Sequence, residues 1–142
     1  MRDKNKILVI TICGVGKAYE MKKGTAREIF SLSTRHKHFW KMMDRLGTKK
    51  FEWAIVSKYG LWFWDEVHPT YDTHPKKYMN AKWRENIKRQ LEGWKHVFYY
   101  DPYIGAPRSA KFQWKILRKF RPDMRVGKFD VLIWLCNNEW KE

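Results

Sequence analysis

An apolar, β-branched run, Lys6–Ile12, is closed by the glycine-containing turn Cys13–Lys17. Its length and lack of alternation predict a central strand buried on both faces. A helical pattern follows from about Ala26 to Leu46. Thr25 and Glu28 have capping-box spacing, Ala26, Ile29, Phe30, Trp40 and Met43 share a face, and Gly47 closes the segment. Phe51–Ser57 reads as a second strand. A second helix over about Asn80–Lys95 carries Trp83, Ile87, Leu91 and Trp94 at helical spacing. Val97–Tyr100 reads as a third strand, Asp101–Pro107 as a loop, and Ser109–Phe120 as a third helix stopped before Pro122. Phe129–Leu135, a short apolar run, is read as a fourth strand.

Between the second strand and the second helix, Lys58 to about Tyr78 shows no periodicity and contains Gly60, Pro69 and Pro75. A connection this long within one domain is usually functional or disordered, and its aromatic content favours an ordered, functional segment. The β-α-β-α-β-α-β order predicts an α/β fold. The expectation is a single three-layer domain over residues 1–142, with a mostly parallel sheet of about four strands. Ligands of such sheets sit beyond the carboxyl ends of the strands. The Cys13–Lys17 turn, the Lys58–Asp72 segment and the Asp101–Pro107 loop all follow strands, so they are expected at one edge.

Charge points to the kind of ligand. The 142 residues carry 30 Lys and Arg against 15 Asp and Glu, a formal net charge of +15. Such an excess points to a polyanionic partner, with nucleic acid ahead of an anionic membrane surface. Nine Trp, seven Tyr and eight Phe accompany it; most are expected in the core, and a minority suit stacking on bases. Cys13 and Cys136, the two cysteines, exclude a disulfide framework or a Cys-rich zinc fold and fit a reducing, cytoplasmic setting. The basic start before an apolar run superficially resembles a secretion signal. The run is short, β-branched and followed by Lys17 without a small-x-small cleavage site, so it reads as a strand. No stretch has the length to span a bilayer, so no membrane partner is expected.

The Cys13–Lys17 turn stands where a phosphate-cradling loop would, between a strand and a helix. It is not a Walker A motif, because Thr11 occupies the first glycine position and Ala18 follows Lys17. Backbone N–H groups and the Lys17 cation still suit generic anion binding, against the plainer alternative of a tight turn. The same surroundings lower a thiol pKa and favour Cys13 as a nucleophile, against the alternative of a buried, inert thiol. Cys136 ends a predicted strand too, which leaves an approach of the two thiols open. The five histidines form no metal pattern with the cysteines, and neither a metal nor a cofactor is expected. Asp65, Glu66 and Asp72 are candidate acids or bases, or partners of the many cations. On the third helix Arg108, Lys111, Lys115 and Arg118 make a cationic stripe apart from the apolar face of Phe112, Ile116 and Phe120, extended by Lys119, Arg121 and Arg125. Either a solvated face or a phosphate contact fits it.

Two segments resemble the YaaA-like superfamily. Lys58-Tyr59-Gly60-Leu61, Asp65-Glu66-Val67 and Tyr71-Asp72, directly after a strand, are similar to its signature, Ser-Ala-Lys-Tyr-Gly-Leu-Leu-x-Pro-Asp-Glu-x-x-x-Pro-Tyr-Asp. Val56 stands in place of the Ser, and Trp64 and Thr70 in place of the two prolines. Trp83 fits a recurrent aromatic position. Cys13, Lys17 and Tyr19 are similar to the Cys-x3-Lys-Pro-Tyr motif in the central domain of archaeosine synthase, with Ala18 in place of Pro. The Ser and His that follow there fall at Lys22 and Thr25. The resemblance covers residues 6–95.

The resemblance implies a nucleic-acid setting. Archaeosine synthase acts on a modified base in transfer RNA, and YaaA-like proteins are associated with DNA binding and protection from oxidative damage. By position, Cys13 and Lys17 would be the reactive pair. Lys58, Tyr59, Gly60, Tyr71 and Asp72 would belong to the substrate pocket. The leading expectation is therefore a DNA- or RNA-binding protein, with chemistry on a nucleobase or its glycosidic bond as its enzymatic form, a nucleobase-modifying transferase or glycosidase. There Cys13 is the nucleophile, Lys17 holds its thiolate or a phosphate, Asp72 is an acid or base, and Tyr59, Tyr71, Trp62 or Trp64 stacks on an extruded base. The alternatives are a non-catalytic binding module and an assembly protein.

Overall fold

The computed structural model describes residues 2–13, 21–73, 75–104 and 111–141, the side chains of residues 111–113 excepted. The elements are β1 (Ile7–Ile12), β2 (Lys23–Thr25), α1 (Ala26–Ile29), α2 (Thr34–Leu46), β3 (Phe51–Ser57), β4 (Gly60–Phe63), β5 (Val67–Pro69), α3 (Pro75–Tyr78), α4 (Ala81–Leu91), β6 (His96–Tyr100), α5 (Lys111–Phe120), β7 (Arg125–Gly127) and α6 (Phe129–Asn137). The fold is α/β. A five-stranded sheet has the order β4-β3-β1-β6-β7, and β2 pairs with β5 in a small second sheet. β3, β1, β6 and β7 run parallel, and β4 alone is antiparallel.

The central position of β1 follows from its composition. Leu8, Val9 and Ile10 have no exposed surface, which suits a strand flanked on both edges and covered on both faces. β3 matches the expected Phe51–Ser57, and all seven of its residues are buried. α4 buries Trp83, Ile87 and Leu91, the predicted stripe, and starts on Asn80, whose side chain accepts the Trp83 N–H. The Thr25–Glu28 capping box is present in both directions. Among the described residues no helix is long and apolar enough to cross a membrane.

Three expectations are corrected. The helix over Ala26–Leu46 is two helices, because Phe30 leaves the helical conformation and Ser33 accepts the His36 N–H as a new N-cap. A serine offering its own hydroxyl to the backbone competes with continuation of the helix. The Lys58–Tyr78 connection is also structured. Lys58 and Tyr59 form a two-residue turn, after which β4 runs back along β3 with Ser57 in register with Gly60. Since β4 is buried on both faces, no alternation marks it in the sequence.

The third correction is Phe129–Leu135, which is helix α6 rather than a strand. Leu132 and Leu135 are buried while Ile133 and Trp134 are exposed, the spacing of three expected on a helix. A short, wholly apolar run does not separate the two periods. Asp130 in the first turn favours the helix by opposing its dipole. The edge strand is the preceding β7, so the main sheet has five strands rather than about four.

Candidate functional site

Parallel pairing of β3, β1 and β6 brings their carboxyl ends together. The Cys13 N–H donates to Val56 O over 2.9 Å, extending the β1–β3 ladder, and Thr11 Oγ1 donates to Tyr100 O over 2.8 Å. Cys13, Lys58 and Asp101 therefore leave the sheet at one edge, as expected. The Lys58–Asp72 segment divides. Gly60–Phe63 returns along β3, and β5 with Thr70–Asp72 comes back to the carboxyl edge.

Cys13 sits at the centre of this edge, 4% exposed. Its Sγ shares a hydrogen bond with Tyr78 Oη at 2.9 Å. Tyr71 stands edge-on to Tyr78, with ring centroids 6.1 Å apart, and its Oη accepts the Lys58 N–H over 3.0 Å. Burial is the main cause that pushes both phenols far above their ordinary pKa, and the neighbouring Cys13 adds to it. Both hydroxyls therefore stay protonated at the thiol.

A positioning residue that the sequence did not single out is His36. It is 1% exposed. Its Nε2 lies 3.0 Å from Ile12 O and its Nδ1 2.8 Å from Ser33 Oγ. The carbonyl accepts only, so Nε2 donates to it, and in the neutral ring Nδ1 accepts from the serine. The imidazole thus fastens α2 to the end of β1, one residue before Cys13. The signal for it was Ser33 three residues before His36, an N-cap spacing.

Beyond Tyr78 opens a groove of about 350 Å³. Lys58, Lys82 and Arg89 supply cations, Tyr59, Tyr78 and Trp83 supply ring edges, and Asn80 and Asn86 supply amides. Trp83 is held by its indole N–H, which donates to Ser57 O over 2.8 Å. Tyr59 is half-buried, stacks on His68 at 4.8 Å and donates its hydroxyl to Pro69 O over 2.9 Å. Gly60 has φ +84°, and its role is the turn that aims Lys58 and Tyr59 at this groove.

Other candidates sit elsewhere. Trp62 is fully buried against Phe30 and donates to Glu66 O over 2.7 Å, so no face of it is available for stacking. Trp64, half-buried, donates to Glu52 Oε1 over 3.1 Å near the start of β3. Asp65 pairs with Arg2, and Glu66 accepts the Phe63 N–H. Asp72 is exposed immediately beyond buried Tyr71. On α5, Lys115 is exposed. Arg118 instead donates to Met124 O over 3.1 Å and covers the Trp114 ring at 5.0 Å, a packing role that keeps it partly buried. Lys17 and Arg108, and the side chain of Lys111, lie outside the described residues.

The two thiols do not meet. Cys136 is on α6, against Lys50 and His96 at the amino ends of the strands, and neither cysteine is in a disulfide. Among the described residues no group of three or more His, Cys, Asp or Glu is placed to hold a metal. No protein-family model matches the chain, and no curated protein and no solved structure matches it.

Proposed function

We propose that the protein binds nucleic acid, as a three-layer α/β domain of the YaaA-like superfamily working in a reducing, cytoplasmic setting. The groove carries this reading: Lys58, Lys82 and Arg89 line it together with half-buried Tyr59, while Tyr78 and Trp83, each 5% exposed, form its wall, at the edge where parallel sheets take ligands. Cations for phosphates beside a ring for a base, here Tyr59, are the elements of single-strand recognition. The net charge of +15 supplies long-range attraction for a polyanion. The three-layer arrangement is supported by packing on β4, where consecutive side chains point to opposite faces. Trp62 meets Phe30 after α1, and Phe63 stacks on Trp94 beyond α4. Two cysteines outside any disulfide fit the reducing compartment.

The test is a titration against single-stranded DNA, duplex DNA and transfer RNA over a salt series. Affinity falls steeply with salt, and Lys82→Ala with Arg89→Ala lowers the slope by about 2, roughly one per lost phosphate contact. A slope unchanged in that double variant overturns the groove as the binding surface.

A second reading adds chemistry on a nucleobase or its glycosidic bond, with Cys13 as nucleophile and Asp72 as acid or base. The observation favouring it is the 2.9 Å contact that puts the thiol directly behind the Tyr78 wall of the groove. Burial of that thiol ranks it second, since attack needs Tyr78 to move aside. Retention of a demonstrated base-modifying activity in Cys13→Ala removes this reading.

A further inference from the structure

Lys6, Lys50 and Lys95 each stand immediately before a strand of the main sheet, β1 at Ile7, β3 at Phe51 and β6 at His96. Ile7 is in register with both Phe51 and His96. Three lysines therefore line up across three adjacent parallel strands, at the edge opposite Cys13. Neighbouring strands lie about 4.8 Å apart, and like charges at that spacing oppose the pairing they flank. Lys6 Nζ donates to Thr48 O over 2.9 Å, a neutral partner, and an anion set against the row would add a countercharge.

The row opens on a cavity of about 570 Å³ that Lys49 and Lys141 also line. Asp3 is the one carboxylate among its described lining residues, leaving a formal +4 for the five lysines and this aspartate. The wall is an imidazole on an indole: His96 and Trp140 stack with centroids 4.5 Å apart and planes 10° from parallel. Cys136, half-buried on α6, completes the rim. One carboxylate-sized ion would neutralise a single lysine. Several closely spaced charges match the row.

We propose that this amino-edge cavity is a second anion site that takes consecutive phosphoryl groups, from a free nucleotide polyphosphate or from a nucleic-acid strand. It lies the length of β1, roughly 20 Å, from Cys13. It does not depend on the groove reading.

The test is protection of Cys136 from iodoacetamide, with Cys13 resolved separately by peptide mass. Inorganic tripolyphosphate and a short single-stranded oligonucleotide are the probes, and each variant is compared with its own ligand-free rate. Bound phosphate slows Cys136 alkylation several-fold and leaves Cys13 unchanged. Lys50→Gln with Lys95→Gln, both at exposed positions, weakens the protecting probe about tenfold or more. Lys82→Gln with Arg89→Gln leaves the protection in place.

Protection by tripolyphosphate assigns the site to free polyphosphates; protection by the oligonucleotide alone assigns it to a strand backbone. If neither probe protects Cys136 at low salt, or the Lys50/Lys95 variant binds as tightly as the parent, the site does not exist. Nucleic-acid binding that fails only in the Lys82/Arg89 variant, with Cys136 never protected, leaves the groove standing and removes this site.

Discussion

Tyr78 Oη lies 2.9 Å from Cys13 Sγ, and the same tyrosine forms part of the groove wall beside Lys58 and Arg89. One phenol ring therefore separates the strand-end thiol from the cationic surface. Because burial keeps the phenol protonated, it has a proton to give a thiolate and a lone pair to receive from a thiol. Tyr78 thus closes the path from the groove to Cys13.

The two thiols should separate cleanly in reactivity. Cys136 is half-buried at the amino edge, and Cys13 is 4% exposed. Alkylation followed by peptide mass should show Cys136 modified first, with Cys13 following at the rate of structural opening. Tyr78→Phe should leave that order intact and lower stability by about 1 kcal/mol, the usual cost of one lost hydrogen bond. Tyr78→Ala should accelerate Cys13 by opening the wall. Mild oxidation should give no internal disulfide, since the two cysteines lie at opposite ends of the sheet and a bridge needs Cα atoms within about 7 Å. Equal rates for the two thiols in the parent protein would place Cys13 at the surface and strengthen the catalytic reading.

Trp62 provides a contrast between core and site. It has no exposed surface, meets Phe30 edge-on at 5.3 Å, and its indole proton is taken by Glu66 O. Trp62→Ala should cost roughly 3–5 kcal/mol in urea unfolding, as large-to-small aromatic truncations do. The folded fraction of Trp62→Phe should bind nucleic acid with the parent affinity. A selective loss of affinity without a loss of stability would return Trp62 to the binding surface.

Strands β1, β3 and β6 were readable as apolar runs bounded by turn residues, and helix α4 by its apolar spacing and its Asn80 cap. Phe51–Ser57 and the Trp83, Ile87, Leu91 stripe are the clearest cases. β4 and α6 were missed because their apolar residues are consecutive, so that neither alternation nor a spacing of three is expressed. The break at Ser33 was hidden because a capping serine and a mid-helix serine look alike until the side chain's partner, here the His36 N–H, is known. At the site, sequence order with a parallel sheet was enough to bring Cys13 and Lys58 to one edge. The hairpin that withdraws Trp62 and Trp64 from that edge follows from register, which the segment's composition does not express. Lys82 and Arg89 were missed because a cation on an amphipathic helix is ordinarily just its solvated face.

Gly60 tests that hairpin directly. Its φ of +84° is in the left-handed region, and a Cβ there would collide with the amide end of Gln90, whose Oε1 accepts the Leu61 N–H over 2.8 Å. Gly60→Ala should destabilise the protein by about 1–2 kcal/mol from the backbone conformation alone, with the displaced Gln90 adding to it. Amide exchange should rise first across Gly60–Phe63. Gly47→Ala is the control. Its φ is +79° but nothing stands near its Cβ, so it should carry the backbone cost and no added exchange in β4. Equal exchange profiles for the two variants would mean that the Gln90 contact does not hold the hairpin.

Alkaline pH should unfold the protein through its buried tyrosines. Burial raises Tyr71, Tyr78 and Tyr99 far above their ordinary pKa, and it pushes Tyr100 up to about 12. In the unfolded chain each phenol ionises near 10. Below that value both states hold the proton and the stabilisation is fully present. Above it the unfolded state releases protons that the folded state keeps, so stability falls as pH rises, by about 1.4 kcal/mol per pH unit for each such phenol. The melting temperature should therefore change little from these groups between about pH 7 and 9 and drop steeply above about 10. Tyrosinate absorbance from the buried set should appear together with unfolding rather than before it. Tyr99→Phe, which removes one of the phenols, should make the fall shallower. Smooth ionisation of all seven tyrosines near their ordinary pKa with the fold intact would contradict the burial of Tyr71 and Tyr78 around Cys13, and with it the wall that separates the thiol from the groove.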